Sequence, residues 1–155
     1  MKAAPLQVNR IFFSEVHILN SPSPSPDENV IPDLEIDPTL QPRKEGSGEW
    51  CLVLRVLLKS REGMMASYVG KIETVGLFTV DESAWSVENC EKLVFVNGAG
   101  ILYSATREMV LNITSRGLFP PIILPSYSFS QIYQEREAEK GNATQQLSVS
   151  PKQGA

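Results

Sequence analysis

The stretch Ile101 to Phe129, ILYSATREMVLNITSRGLFPPIILPSYSF, limits the fold more than any other part of this chain. Its first half repeats apolar residues at helical spacing without proline or glycine, which predicts a helix over Ile101–Arg116. Gly117 stands where a left-handed C-terminal stop belongs, and Phe119 can fold back on the last turn. Pro120 and Pro121 forbid continuation. An apolar extended run follows, and Ser128 to Lys140 reads as a second helix with Ser128 or Ser130 as its cap. The segment holds no nucleophile–base pair. It is a sequence for packing and association.

Everything before this segment reads mainly as strands. Leu6 to Leu19 is apolar on both parities, unlike a strand wetted on one side. Ser21 to Pro26, SPSPSP, reads as a polyproline-like spacer and the start of a long crossover. Asp33 to Asp37 is a short strand candidate bracketed by Pro32 and Pro38, which makes it an edge. Trp50 to Lys59 is the strongest strand. After a turn at Ser60–Gly63 the chain returns over Met65–Val80, forming a hairpin, with bends or bulges expected at Gly70 and Gly76. Val87 to Leu93 reads as a short helix, and Asn97-Gly98-Ala99-Gly100 as a turn. Strands followed by helices predict an α+β fold with an antiparallel sheet. One domain over 1–140 and a disordered polar tail over 141–155 complete this reading.

A chain of 155 residues, 42% hydrophobic and 21% charged, suits one globular domain. A net charge of −4 argues against a phosphate-binding face. The N-terminus has no apolar core of a signal peptide, and no stretch approaches the ~20 apolar residues of a membrane span. With two separated cysteines, Cys51 and Cys90, the simple reading is a cytoplasmic protein with reduced thiols. The single histidine, His17, has no base or orienting partner by sequence logic. One histidine and two scattered cysteines fall short of a metal site. Gly98 and Gly100 do not open a dinucleotide fingerprint, because Tyr103 occupies the third glycine position. The acids Asp33, Glu35 and Asp37 read as a solvated edge that discourages aggregation rather than as a calcium site. The expectation is a protein that is not an enzyme and uses no cofactor.

On a helical wheel Leu102, Ala105, Met109 and Ile113 form a core stripe, widened by Tyr103 and Val110. Ser104, Arg107, Glu108 and Ser115 form the polar side, and Leu111 points into it. A sheet apolar on both faces needs two covers, whereas the chain supplies helices for one. One exposed leucine is ordinary on a surface helix; the sharper reading is that this face meets another subunit, with Leu111, Arg107 and Ile72 expected at the interface.

The run Ile101-Leu102-Tyr103, Arg107-Glu108, Ser115-Arg116-Gly117, Phe119-Pro120, Leu124, Pro125 and Phe129 resembles the SecB protein-export chaperones. Gln7-Val8-Asn9-Arg10-Ile11-Phe12, Val53-Leu54-Arg55-Val56 and Val75-Gly76-Leu77-Phe78 resemble further strands of that family, in the same order. The resemblance covers most of residues 6–135. It implies a four-stranded antiparallel sheet with a long crossover and two main helices packed on one face. It implies a dimer of dimers that binds non-native preproteins and holds them unfolded for the SecA motor, without nucleotide or metal. No contact with nucleic acid and no membrane insertion are implied. Glu15 matches one carboxylate of the family's SecA-docking face and Val69 an apolar contact there. Leu19 stands where a second acid is expected, and Lys71 replaces an acid with a base. A SecB-like chaperone with one dedicated client, such as an antitoxin, is the alternative. For the client groove the expected residues are Leu34, Ile36, Trp50, Tyr68 and Phe78.

Overall fold

The computed structural model describes residues 4–24 and 31–148. Four strands, β1 (Leu6–Asn20), β2 (Asp33–Leu40), β3 (Glu49–Lys59) and β4 (Tyr68–Val80), form one antiparallel sheet in the order β1-β4-β3-β2. β1 and β2 are consecutive in the chain yet lie on opposite edges. The connection after Asn20 is therefore a crossover, as the proline spacer predicted; its residues 25–30 lie outside the described residues. Pro38 belongs to β2 instead of closing it, and β2 is an edge strand.

The mixed parity of the first strand has a geometric cause. β1 shifts register against β4 between Val8 and Arg10 and again between Phe13 and Glu15. Each bulge inserts one extra residue and reverses the side to which the following side chains point. Opposite residues share a face, so Leu6, Val8, Ile11, Phe13, Val16 and Ile18 all join the face of Phe78, Thr74 and Ile72. Arg10, Phe12, Glu15, His17 and Leu19 join the other. The bulges sit at Asn9 and Ser14, not at Gly70 and Gly76 as expected. Gly76 serves packing: a Cβ there would lie 2.5 Å from the Phe78 ring and 2.8 Å from Leu102.

Helix α1 (Val87–Leu93) starts where Ser86 Oγ accepts from Asn89 N–H at 3.2 Å. The expected turn at Asn97–Gly100 does not form. A π-helical turn, Val94–Gly98, instead joins α1 to α2 (Ala99–Thr114) in one helical run. α2 lies over β4 and β3. Its buried stripe is Ala99, Leu102, Tyr103, Thr106, Val110 and Thr114. Ala105, Met109 and Ile113, placed in the core by the wheel, are half-buried on its flank. Two threonines took their place because each satisfies its own hydroxyl. Thr106 Oγ1 donates to Leu102 C=O at 2.9 Å, and Thr114 Oγ1 to Val110 C=O at 2.7 Å.

α3 runs over Phe129–Ser148, eight residues beyond the Lys140 end read from the sequence and into the segment expected to be disordered. Residues 149–155 of that tail lie outside the described residues. Gly117 is not left-handed, since the positive-φ glycines are Gly46, Gly48, Gly63 and Gly70. Glycine is needed at 117 for space: a Cβ would lie 2.3 Å from Tyr68 Oη.

Candidate functional site

Between α2 and α3 the chain runs extended through Phe119, Pro120, Pro121, Ile122 and Leu124 with no strand beside it. Prolines supply no donors, and an extended segment without a ladder must find other partners for its backbone. Side chains of the sheet and of α2 provide them. Tyr68 Oη donates to Phe119 C=O at 2.6 Å and accepts from Phe119 N–H at 2.9 Å. Ile122 N–H donates to Thr114 Oγ1 at 3.0 Å, and Arg107 Nε to Leu124 C=O at 2.9 Å. Tyr103 Oη donates to Pro125 C=O at 2.7 Å. Burial pushes the Tyr103 hydroxyl well above the ordinary phenol range, so it stays a neutral donor.

This tethering positions a groove. Tyr103 meets both Tyr127 and Phe129 edge-on at 5.7 Å. Tyr127 then forms one wall of a surface groove of about 300 Å³, with Leu34 and Ile36 of β2 and Gln131, Ile132 and Glu135 of α3. The α3 wall is held by Arg136, which donates to the carboxylate of Asp37 and the carbonyl of Pro38. Phe95 and Tyr133 add an edge-on contact at 5.3 Å. The groove sets apolar Leu34, Ile36, Tyr127 and Ile132 beside polar Ser128, Gln131 and Glu135 and is open to solvent, a form that accepts side chains without selecting one shape.

Of the five expected groove residues, Leu34 and Ile36 line this groove. The other three do not. Tyr68 is 2% exposed, and its hydroxyl is committed to Phe119, so it is a core residue that supports the groove from behind. Trp50 and Phe78 are buried at the far end of the sheet, where β3 starts and β4 ends. Arg43 stacks on the Trp50 ring at 3.7 Å and pairs with Glu82 at 2.7 Å, which also accepts from Trp50 Nε1. A separate cavity of about 340 Å³ lies there, lined by Trp50, Phe78, Cys51 and Leu77 together with Arg43 and Lys44. Tyr127 and Ile132 were missed by the sequence reading. The aromatic spacing Tyr127-Ser128-Phe129, two residues after Pro125, was the available signal.

The residues expected at an interface differ in exposure. Ile72 is fully buried beneath α2, opposite Val56 on β3. Arg107 is half-buried and holds the connection to α3. Leu111 is 39% exposed on the outer side of α2. Further partly open apolar surface lies on the α2 flank of Ile101, Ala105, Met109 and Ile113 and on β1. There the helix-side row of β1 is only partly covered, with Val8 44% and Val16 39% exposed.

The open sheet face carries Glu15, Leu19, Val69 and Lys71 together, with Leu19 opposite Val69 and His17 opposite Lys71. Lys71 Nζ pairs with the Glu15 carboxylate at 2.6 Å. Other acids of this face are paired as well: Glu73 and Asp37 with Arg55, Asp37 also with Arg136, Glu35 with Lys59 and Asp33 with Arg61. The face is thus close to self-neutralised. Among the described residues no cluster of metal-ligating side chains occurs and no helix is long and apolar enough to cross a membrane. Burial pushes both cysteine thiols up, and both are free.

The family described as Preprotein translocase subunit SecB matches residues 1–140. A protein named Protein-export protein SecB from Anaplasma phagocytophilum is 24% identical over 135 residues, 83% of this chain and 84% of that one. Its namesake from Stenotrophomonas maltophilia is 24% identical over 140 residues, 88% of this chain and 80% of that one. The fold is similar to that of the Mycobacterium tuberculosis Rv1957 SecB-like chaperone, solved in complex with a ChAD peptide from the Rv1956 HigA1 antitoxin. The TM-score is 0.66 at 20% identity, covering 80% of this chain and 91% of that chain. With that family matched over residues 1–140, the chain belongs to the SecB family.

Proposed function

We propose that this protein is an ATP-independent holdase that binds unfolded polypeptides and keeps them competent for export through the Sec pathway. The observation that carries this reading is the open groove between β2 and α3, with Leu34, Ile36, Tyr127 and Ile132 in its walls, in a chain of the SecB family. Unfolded chains expose apolar side chains and unpaired backbone together, and a shallow groove takes many sequences where a shaped pocket takes one. Single grooves bind weakly, so several must act together. In this reading the chain works in the cytoplasm as a dimer of dimers. The row Val8, Ile11, Phe13, Val16 and Ile18 of β1 and the flank of α2 form the apolar contact between subunits. No catalytic step is involved.

A second reading is a SecB-like chaperone serving one client without docking to SecA. The Glu15–Lys71 ion pair favours it, since a carboxylate held at 2.6 Å by its own chain offers little to a basic partner. Titration with a stably unfolded polypeptide and with its folded form, with light scattering for mass, tests the main reading. Selective binding of the unfolded form by a tetramer supports it. Binding of neither form would leave the dedicated-client reading.

A further inference from the structure

The cavity at the far end of the sheet, walled by the loop between β2 and β3, has no part in the chaperone reading. It measures about 340 Å³, at the small end of the range for small-molecule sites. Pro42, Trp50, Cys51, Leu77 and Phe78 give it an apolar lining. The loop beside it is braced. Ser47 Oγ donates to Lys44 C=O at 2.8 Å and accepts from Glu49 N–H at 3.2 Å. Gly46 and Gly48 turn the chain with φ of 71° and 69°, and Gly48 C=O accepts from Val80 N–H at 2.9 Å. These bonds hold the walls in place, so the site is preformed.

Several polar groups at this cavity are left unused. Lys44 and Glu49 both line it, yet among the described residues neither forms an ion pair, with the other or with any third charge. Opposite charges that line one cavity without meeting leave room for a molecule that carries both. Asn9 commits Nδ2 to Thr79 Oγ1 at 2.7 Å, which keeps its carbonyl oxygen as an unused acceptor. Arg43 Nη2 lies 2.7 Å from Glu82 Oε1 as an ion pair, but its N–H bonds point at no acceptor and the nitrogen is buried. Buried donors are satisfied in almost all proteins, so this one calls for an acceptor at the cavity.

We propose that this cavity binds a free α-amino acid with an apolar side chain, such as leucine. The carboxylate meets Lys44 and the Arg43 N–H, the ammonium meets Glu49 and the Asn9 carbonyl, and the side chain enters the lining of Trp50, Cys51 and Leu77. A zwitterion matches a rim with one unpaired cation and one unpaired carboxylate. A fatty acid would set its carboxylate against Glu49 with no ammonium to compensate, and a simple amine would set its charge against Lys44. The apolar lining supplies affinity and the rim charges fix orientation. The inference goes beyond the chaperone reading and stands without it.

The test titrates the isotope-labelled full chain with L-leucine and follows the indole N–H resonances of its two tryptophans by NMR. Trp50 lines the cavity and the exposed Trp85 does not, so leucine should move the Trp50 signal and leave Trp85 in place. Trp85→Phe assigns the two signals. Three analogues each delete one recognised group: 4-methylpentanoate the ammonium, leucinamide the carboxylate and glycine the side chain. The first two should bind about fivefold more weakly than leucine, and glycine at least about tenfold. Lys44→Gln and Glu49→Gln change exposed side chains, and each should weaken leucine binding about fivefold with the fold unchanged by circular dichroism. A Trp50 signal that stays in place up to about 20 mM L-leucine overturns the inference. So does any analogue that binds as tightly as leucine, or leucine binding unchanged in either charge variant.

Discussion

Tyr68→Phe isolates one hydroxyl that ties the sheet to the connection behind the groove. Tyr68 is 2% exposed, and its ring meets Phe119 edge-on at 5.8 Å. Phenylalanine keeps that packing and deletes only the oxygen. The loss removes a donated bond of 2.6 Å to Phe119 C=O and an accepted bond of 2.9 Å from Phe119 N–H. Each bond contributes about 1 kcal/mol net, and a buried partner left unsatisfied costs about 1–3 kcal/mol. Phe119 is half-buried, so water recovers part of this, and the expected loss is about 2 kcal/mol. For a chain of this length that lowers Tm by about 4–8 °C. Urea unfolding at one fixed protein concentration measures it, because association couples to apparent stability. The midpoint should fall with the m value unchanged. Gly117→Ala extends the test. Its Cβ would lie 2.3 Å from Tyr68 Oη and 2.9 Å from the nearest ring carbons. In the Tyr68→Phe background the closest atom is gone, so Gly117→Ala should cost at least about 1 kcal/mol less than it does alone. A Tyr68→Phe loss below about 0.5 kcal/mol, or strict additivity of the two changes, would refute this account of the connection.

Three further outcomes follow from the same geometry. Thr74 and Thr106 are fully buried with their hydroxyls 2.8 Å apart, so Thr106→Val should cost about 1–3 kcal/mol by stranding the Thr74 hydroxyl. The double change Thr74→Val/Thr106→Val should recover part of that loss in urea unfolding; no recovery would contradict the pairing. Ser14 and then Arg55 bond the Glu73 carboxylate and hold its pKa below the usual range. Its stabilisation is therefore present above the unfolded value of about 4.3 and lost as pH falls through the lower folded value. The stability gap between the unmodified protein and Glu73→Gln should close on acidification, and a gap independent of pH would rule the assignment out. Lys71→Glu frees the Glu15 carboxylate and places a second acid beside it, at a stability cost within about 1 kcal/mol for so exposed a pair. A Lys/Arg-rich peptide should then bind the variant in a salt-sensitive way and the unmodified protein little; equal binding by both would show that the ion pair does not mask the face.

Much of the fold is legible in the chain because local rules carry it. The apolar alternation from Trp50 to Leu58, the prolines around Asp33–Asp37 and the Gly117–Pro121 stop each act within a few residues, and the strands, the edge and the helix end all formed near their expected places. The family motifs are local in the same sense. What failed were readings that needed a neighbour. The two bulges of β1 are fixed by its register against β4, so no period read along β1 could assign its faces. Gly98 was read as a turn because glycine permits one, whereas packing against Leu52 and Phe78 drew the helix straight through it.

The candidate site divides along the same line. Sequence alone placed Leu34 and Ile36 on one side of an edge strand, since strand parity and proline chemistry suffice for that. It could not tell that Tyr68, Trp50 and Phe78 are enclosed. Aromatic residues suit cores and grooves equally, and only α2, Arg43 and the pinned connection decide which they become. It could not pair Lys71 with Glu15 either, because cross-strand contacts depend on register. The sequence determined which elements exist and which residues are apolar. The tertiary structure decided which apolar surface stays open, because exposure depends on what lies across from a residue and not on what lies beside it in the chain.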